Sequence, residues 1–272
     1  MAPPRESVGL PAFIIIGTMK GGTTSLHLYL SQHPEVCMSA AKEPNYFIEA
    51  RNFGKGLDWY RSLFADHTKV CGEASPVYSK RHRHEGVPER LRDVVPHVRL
   101  IYVLRDPIDR IVSHYLHNQV IGRETRSLSA AIAARAYRNN YVRTSLYAFQ
   151  LDAFLRCFSL ERILIVTAEN LKDRRTETLE KIFRFIGVDP DFKSSEFDRL
   201  FNQTPVAGQS PARAAMGGHR GPISSLRSVL GQAPSQRPAL DPDHRNRLIE
   251  HLAPDIERLR ALTGLRLERW SL

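Results

Sequence analysis

Short runs of apolar residues alternate along the chain with longer segments in which apolar residues recur every three or four positions. The short runs predict strands buried on both faces of a sheet, at 12–16, 36–38, 69–72, 99–104 and 162–167. The longer segments predict helices at 23–32, 57–64, 88–95, 108–119, 146–158, 176–186 and 243–263. Because strands that alternate with helices form βαβ units, the sequence predicts an α/β fold with a central, mostly parallel β-sheet flanked by helices.

The ends and faces of two predicted helices carry further signals. The Thr/Ser-rich start of the first helix, at 23–25, offers hydroxyl groups that can cap it, and His33 before Pro34 is expected to cap its other end. The last helix has apolar residues such as Leu252 and Ile256 at a spacing of four. We expect this apolar face to pack on the sheet.

The chain has 272 residues, of which 42% are hydrophobic, so it is long enough to bury one substantial core. No internal repeat and no clear domain boundary is visible, and we predict a single domain over residues 1–272. Residues 1–11 are expected to form a flexible N-terminus. Residues 202–238 are rich in Gly, Pro, Ser, Gln and Arg with little periodicity, which predicts a mobile loop that orders over a ligand.

The charge balance is strongly basic. Lys and Arg total 39 against 29 Asp and Glu, a net charge of +10, and only eight of the 39 are lysine. Most of the positive charge is therefore on guanidinium groups, which suit a basic enzyme with an anionic ligand or a nucleic-acid binder. The basic run 80–84 lacks interleaved aromatic residues, and no helix-turn-helix, RNP or zinc pattern is present, which argues against nucleic acid. The run either lines the path of an acidic acceptor or forms a solvated face.

The cysteines and the hydropathy bear on location. Cys37, Cys71 and Cys157 are widely spaced and odd in number, which predicts free thiols in a reducing compartment and supports neither a zinc site nor a disulfide framework. No apolar run approaches the roughly 20 residues that a membrane-spanning helix needs. We therefore expect a cytoplasmic protein without a membrane span, and the oligomeric state stays open.

A glycine-containing loop joins the first predicted strand to the first helix. Its backbone N–H groups and hydroxyls face one spot at the positive end of that helix, which predicts an oxyanion cradle. Lys20 lies inside the loop, whereas a Walker A motif has its lysine directly after the second glycine, where this chain has Thr23. No acidic residue at a strand end stands out as a magnesium partner. The candidate anion-binding residues are Lys20, Gly21, Gly22, Thr23, Thr24 and Ser25.

A second motif follows the predicted strand at 99–104. Its residues are R-D-P-I-D-R-I-V-S-H-Y, with Arg105 at the end of the strand and Ser113 further along the next helix. Both side chains can donate hydrogen bonds to one phosphate. Taken alone, Arg105-Asp106-Pro107 would indicate no more than an ordinary helix N-terminus.

Together, the two motifs resemble those of sulfotransferases that use 3′-phosphoadenosine 5′-phosphosulfate (PAPS). K-G-G-T-T-S after I-I-I-G resembles their 5′-phosphosulfate loop, and R-D-P-x-x-R-x-x-S-x-Y is similar to their 3′-phosphate site. The resemblance implies a P-loop-like three-layer fold and sulfuryl transfer from PAPS without a metal, leaving adenosine 3′,5′-bisphosphate. It implies that Lys20 stabilises charge on the bridging oxygen and that Arg105 and Ser113 bind the 3′-phosphate.

The sequence looks closest to the branch that includes heparan sulfate sulfotransferases and their bacterial relatives. Lys42-Glu43-Pro44-Asn45-Tyr46-Phe47 resembles a segment of that branch whose Glu is the catalytic base, so the resemblance implies this role for Glu43. Segments 72–78 and 145–147 resemble shared elements, and the second makes Tyr147 a nucleotide-site candidate. Arg213 and Arg220 lie in the late loop, where faint resemblances make them candidates to clamp the 3′-phosphate.

Several alternatives stay open. His114 and Glu73 are rival bases, although a packing role for His114 fits its place on a helix. Ala74 stands where the heparan enzymes carry a lysine, so a long glycosaminoglycan acceptor is not implied, and the acceptor is a hydroxyl or amine of a saccharide, lipid or small molecule. A P-loop nucleotide kinase-like phosphotransferase and a non-catalytic basic binding module are the competing functions.

Overall fold

A computed structural model of the chain describes residues 9–198 and 238–272. In this part of the chain, five parallel strands form one sheet in the order β2-β3-β1-β4-β5. The strands are β1 (Phe13–Gly17), β2 (Val36–Met38), β3 (Val70–Ala74), β4 (Arg99–Leu104) and β5 (Ile163–Thr167). All five predicted strands are present with bounds shifted by at most two residues, which confirms the predicted parallel α/β sheet.

Ten α-helices lie in the described residues. They are α1 (Thr23–Leu30), α2 (Leu57–Arg61), α3 (Val87–Val94), α4 (Pro107–Val120), α5 (Leu128–Ala133), α6 (Asn140–Arg143), α7 (Tyr147–Leu155), α8 (Ala168–Asp173), α9 (Arg175–Ile186) and α10 (Pro242–Thr263). Seven match predicted helices, whereas α5, α6 and α8, with four to six residues each, were not predicted. Among these residues, none of the helices has the length and apolar character that crossing a membrane requires.

The strand β1 is buried on both faces, so the sheet is the middle of three layers. Ile14 and Ile16 pack in one apolar cluster with residues of α3 and α7, whereas Phe13 and Ile15 pack in another with residues of α1 and α9. The Phe13 ring lies over Gly72 of the neighbouring strand β3, where a Cβ would come within 2.1 Å of the ring. These layers agree with the three-layer architecture that the resemblance implies.

The helix α10 packs mainly against α7 and α4. Leu248 and Leu252 join the apolar cluster of α4 and α5, while Ile256 and Leu259 join the cluster that covers one face of the sheet. The expectation that this helix packs on the sheet is therefore only partly right, since half of its apolar face covers other helices. Its Asp255 carboxylate accepts the backbone N–H groups of Ala148 and Phe149, at 2.9 and 2.8 Å, at the start of α7.

The two segments that the sequence singles out as mobile fall largely outside the described residues. Of residues 1–11, only 9–11 are described, and Gly9 and Pro11 are buried. Of residues 202–238, only 238 is described, so the interpretation of Arg213 and Arg220 as phosphate ligands lies outside the described part. The single domain over 1–272 stays a prediction.

Candidate active site

The candidate residues converge because the strands are parallel and their carboxyl ends share one edge of the sheet. The loop with Lys20 follows β1, the segment with Glu43 follows β2, and Arg105 follows β4. Glu73 lies near the carboxyl end of β3, the strand that pairs with β1. A ligand at this edge is thus within reach of side chains from four strands.

Backbone hydrogen bonds, one to β4 and one within the loop, hold the loop after β1 in place. The N–H of Thr18 donates to the carbonyl oxygen of Val103 at 2.7 Å, and the N–H of Gly21 donates to that of Thr18 at 2.9 Å. A Cβ at Gly21 would lie 2.6 Å from the Val103 carbonyl oxygen, so the close approach requires glycine. Gly22 has φ +99° and stands at the N-cap of α1. The expected hydroxyl cap is therefore wrong, because a left-handed glycine makes the turn into the helix.

Lys20 lies among other cations. Its backbone has φ +68°, and burial, together with the positive charges of Arg105 and Lys42, lowers the pKa of its ammonium group. Among the described residues, no carboxylate forms an ion pair with Lys20. Three cations and the first amides of α1 can together stabilise an anion with more than one negative charge.

Lys42 docks the segment after β2 onto α1. Its Nζ donates to Thr24 Oγ1 at 2.6 Å, and burial lowers the pKa of Lys42 while the Glu43 carboxylate opposes the shift. Glu43 itself is half-buried with φ +60°, and its carbonyl oxygen accepts the Asn45 amide at 2.7 Å. The segment that carries Glu43 thus contacts the start of α1 through Lys42, and the Asn45 side chain closes the turn at Glu43.

Glu73 is fully buried and its oxygens are occupied. Oε1 accepts the hydroxyls of Tyr60 and Tyr78 at 2.8 and 3.0 Å, and Oε2 accepts that of Ser75 at 2.6 Å. Burial raises the pKa of Glu73 to about 7, although the three hydroxyl donors favour the charged form. The sequence offered Glu73 as a rival base, but it shows no signal for this network, because the tyrosine partner at 60 is distant in the chain.

The Glu73 network reaches the Glu43 segment at two points. Ser75 Oγ accepts the N–H of Asn45 at 3.1 Å, and the Tyr78 hydroxyl oxygen accepts the N–H of Phe47 at 3.3 Å. The buried carboxylate therefore orients two hydroxyls that in turn hold the backbone just after Glu43. This arrangement fits Glu73 as a positioning residue.

Arg105 lies between β4 and α4. Its guanidinium is 24% exposed and pairs with Asp109 Oδ2 at 3.3 Å, and its carbonyl oxygen accepts the hydroxyl of Tyr147 at 2.7 Å. Tyr147 is fully buried, so this hydrogen bond fixes the Arg105 backbone from the protein interior. Ser113 is buried on α4, two turns after Arg105.

Arg110 is a buried residue of the second motif for which the sequence predicts no role. Its guanidinium donates to Ser145 Oγ at 2.5 Å, to the Tyr141 carbonyl oxygen, and to the Met19 carbonyl oxygen at 3.4 Å. Burial lowers the pKa of Arg110 to about 10. It thus links the loop after β1 to α4 and to the turn before α7.

The two histidines discussed from the sequence both have structural places. His114 is buried, contacts Arg110 at 3.3 Å and meets the Tyr141 ring edge-on at 4.8 Å, which agrees with the packing interpretation. His33 does not cap α1 as expected. Its ring accepts the N–H of Glu35 at 3.2 Å and contacts the Asp189 carbonyl oxygen at 3.0 Å, because the chain turns there into β2.

Most side chains of the basic run 80–84 contact neighbouring elements of the fold. His82 accepts from Gln150 and donates to Asn140, both at 3.0 Å, and burial lowers its pKa to about 4, so the ring is neutral. The Arg81 guanidinium donates to the Phe149 carbonyl oxygen at 2.8 Å. Arg83 is exposed, so a solvated face describes this residue but not the run.

Comparison with known proteins agrees with this geometry. The family model described as "Sulfotransferase domain" matches residues 10–206. Human heparan sulfate glucosamine 3-O-sulfotransferase 5 is 32% identical over 208 residues, covering 72% of this chain and 58% of that protein. Human bifunctional heparan sulfate N-deacetylase/N-sulfotransferase 2 is 30% identical over 200 residues, covering 66% of this chain and 22% of that protein. The chain thus spans less than two thirds of the length of these relatives.

Two solved structures are also similar. A sulfotransferase from Alicyclobacillus acidocaldarius is 26% identical, has a TM-score of 0.71, and is matched over 96% of this chain and 99% of that one. The sulfotransferase domain of the Synechococcus PCC 7002 olefin synthase shares the fold at 17% identity, with a TM-score of 0.51 and coverage of 93% and 98%. Because the family model matches most of the chain, residues 10–206, this chain belongs to the sulfotransferase family.

Proposed function

We propose that this sulfotransferase transfers the sulfuryl group of PAPS to a hydroxyl or amine of a saccharide, lipid or small-molecule acceptor and releases adenosine 3′,5′-bisphosphate. The observation that carries the donor assignment is the convergence of Lys20, Lys42 and Arg105 at the start of α1, where Lys20 lies among cations without a carboxylate partner in the described residues. A nucleotide with phosphates at both the 5′ and 3′ positions supplies the negative charge that this site lacks.

The loop after β1 would hold the 5′-phosphosulfate. Gly22 and the first turn of α1 form the positive end of the helix, where backbone N–H groups can bind an anion, while Gly21 keeps the turn tight through its hydrogen bond to Thr18. Thr23, Thr24 and Ser25 carry hydroxyls at the same end. Thr24 accepts a hydrogen bond from Lys42, which leaves its own O–H free to donate to a phosphate oxygen. Lys20 would stabilise the charge that grows on the bridging oxygen as the sulfuryl group leaves.

The 3′-phosphate would lie beside Arg105 and Ser113. Arg105 keeps a partly exposed guanidinium, and its ion pair to Asp109 at 3.3 Å is one that a phosphate can replace. Tyr147 fixes the carbonyl group of Arg105 through a hydrogen bond from the protein interior, so its contribution to nucleotide binding is indirect. Arg213 and Arg220, outside the described residues, remain proposed as further ligands.

Glu43 is the proposed general base. It is half-buried at the same edge as Lys20, and the network around Glu73 holds the segment that carries it. The rivals are less suited, because the Glu73 oxygens already accept three hydroxyls and His114 is buried against Tyr141. In the proposed step the bond between sulfur and the bridging oxygen breaks, sulfur bonds to the acceptor oxygen or nitrogen, and Glu43 takes the acceptor's proton.

The proposed reaction uses no metal, because the lysines, Arg105 and the helix amides neutralise the departing nucleotide. We also propose a cytoplasmic location. The free thiols of Cys37, Cys71 and Cys157 support it, since such thiols persist in a reducing compartment. Neither nucleic acid nor a membrane is a proposed partner.

The test compares two nucleotides on wild-type protein and on Lys20→Ala. Adenosine 3′,5′-bisphosphate should raise the melting temperature of the wild type more than ATP with magnesium does. Lys20→Ala should bind the bisphosphate somewhat more weakly and lose turnover of labelled PAPS, assayed in EDTA with an extract as acceptor source, by on the order of 10²-fold. Preference for ATP with magnesium would favour the kinase alternative, and bisphosphate binding without any transfer would favour a binding module.

A further inference from the structure

Lys80 is a buried lysine next to the donor loop whose role the proposed mechanism leaves open. It follows β3 in a turn fixed against the end of β1, where the N–H of Ser79 donates to the carbonyl oxygen of Ile16 at 2.9 Å. Lys80 is only 5% exposed. Its Nζ contacts Met19 Sδ at 3.0 Å, and Met19 directly precedes Lys20 in the loop.

The charge of Lys80 has no adequate partner in the described structure. A thioether is a weak acceptor, and no described carboxylate lies within ion-pair distance of Nζ. A buried cation without a counter-ion is costly, and an anionic ligand removes that cost. Burial, together with the charges of Arg110, Arg83 and Arg51 and against the opposing charge of Glu43, lowers the pKa of Lys80 to about 7.

Lys80 contacts the donor loop through Met19, and the proposed base Glu43 is near enough to act on its charge. Lys80 and Lys20 both act electrostatically on His114 and His117, so the two ammonium groups approach the same face of α4. Glu43 acts on Lys80 in turn. Through its contact with Met19, the residue before Lys20, Lys80 therefore lies beside the loop proposed to hold the sulfuryl group.

We propose that Lys80 binds the sulfonate oxygens of the transferred sulfuryl group and so acts as a second cation of the reaction centre. The inference rests on the proposed function, because it needs PAPS in the loop after β1. Lys80 keeps its protons throughout the step. Only the bond from sulfur to the bridging oxygen breaks and only the bond from sulfur to the acceptor forms.

The test uses Lys80→Met, which keeps the length of the side chain and removes its charge. Binding of adenosine 3′,5′-bisphosphate, which has no sulfuryl group, should stay within about twofold of wild type, whereas kcat with PAPS should fall by about tenfold or more, as expected for a lost charged contact. Lys80→Arg should recover part of the loss. Lys181→Met, which removes an exposed lysine of α9, is the matched control and should leave both quantities unchanged.

The pH profile provides a readout that a purely structural role would not affect. Because the lysine must be charged to bind sulfonate, kcat/KM for PAPS should fall as the pH rises through about 7, and this fall should be absent from Lys80→Met. The charged and titratable groups around Lys80 remain in both proteins, so the difference isolates Lys80. They are Arg51, Arg83, Arg110, Glu43, His82, His84, His114 and His117.

Three results would overturn the inference. An equal loss of affinity for the bisphosphate and of turnover would assign Lys80 to the shape of the loop. A loss confined to acidic acceptors, with neutral acceptors unaffected, would assign it to the acceptor. Unchanged kcat would leave it no part in transfer. Failure of the proposed function is a separate result, since then the wild-type protein would neither bind the bisphosphate nor turn over PAPS.

Discussion

Lys42 and Lys20 reach the start of α1 from different strands, and this determines what the site can hold. Lys42 approaches through the Thr24 hydroxyl at 2.6 Å, whereas Lys20 projects from the loop itself. The positive charges of Arg105 and Lys42 both lower the pKa of Lys20. A singly charged ligand would leave part of this repulsion uncompensated, so we expect the site to favour nucleotides that carry several negative charges.

Glu43 provides a direct test of the proposed base. Glu43→Gln keeps the size of the side chain but cannot accept a proton, so kcat on the native acceptor should fall by about 10²-fold or more. Affinity for adenosine 3′,5′-bisphosphate, measured by calorimetry, should stay near that of the wild type. The loss should be smaller for an acidic phenol, which loses its proton readily.

The matched variant is Glu49→Gln, an exposed carboxylate in the same segment that pairs with Arg90 at 3.5 Å. Its turnover should equal that of the wild type. Near-normal turnover of Glu43→Gln together with an inactive His114→Asn would transfer the role of base to His114.

Asp255 joins two helices that the chain separates widely. It lies in α10 but satisfies two backbone N–H groups at the start of α7, where Leu146 stands at the N-cap without a capping side chain. Asp255→Ala leaves both donors unpaired, and loss of a cap typically costs about 1–2 kcal/mol, which we expect to measure by urea unfolding. Because α7 begins with Tyr147, binding of the bisphosphate should weaken as well.

Asp152→Ala is the control for that experiment. Asp152 also connects α7 to α10, through an ion pair with Arg258 at 2.9 Å, but Arg258 is 58% exposed. Surface pairs of this kind contribute about 0–1 kcal/mol. An equal loss of stability in the two variants would mean that the Asp255 cap contributes no more than a surface contact.

The sequence predicts the long elements because each has a period or an apolar run of its own. The strand at 99–104 and the helix at 243–263 are recovered almost to the residue, whereas α6 at 140–143 is too short to show a period. The Lys20 loop is predictable because its residues are contiguous. The partners of Glu73 and the burial of Lys80 are not, because they depend on which strands become neighbours.

Two buried groups, Glu73 and Lys80, contribute with opposite signs to the pH dependence of the stability of the whole molecule. The pKa of Glu73 is raised from 4.5 to about 7, so the native state binds this proton more readily, and stability falls as the pH rises through that interval. The pKa of Lys80 is lowered from 10.5 to about 7, so stability rises with pH above about 7. Together these two groups give a minimum near neutral pH.

Glu73→Gln should remove the falling part. Between about pH 4.5 and about pH 7, the wild type should lose up to about 3 kcal/mol of unfolding free energy relative to Glu73→Gln, as urea titrations at each pH would measure. Glu161→Gln, at an exposed position, should follow the wild type. If the stability of Glu73→Gln also follows that of the wild type, Glu73 is ionised in the native state over this whole pH range, and its burial does not raise its pKa.

Residues 270 and 271 complete the surroundings of Arg105. The N–H of Ser271 donates at 2.5 Å to the carboxylate of Asp106, 165 residues earlier in the chain, and Glu169 bridges the N–H of Asp106 to the indole of Trp270. During translation the motif at 105–113 leaves the ribosome long before these partners exist. A nascent chain therefore carries the motif of the proposed nucleotide site before the contacts from residues 270–271 that fix Asp106 have formed.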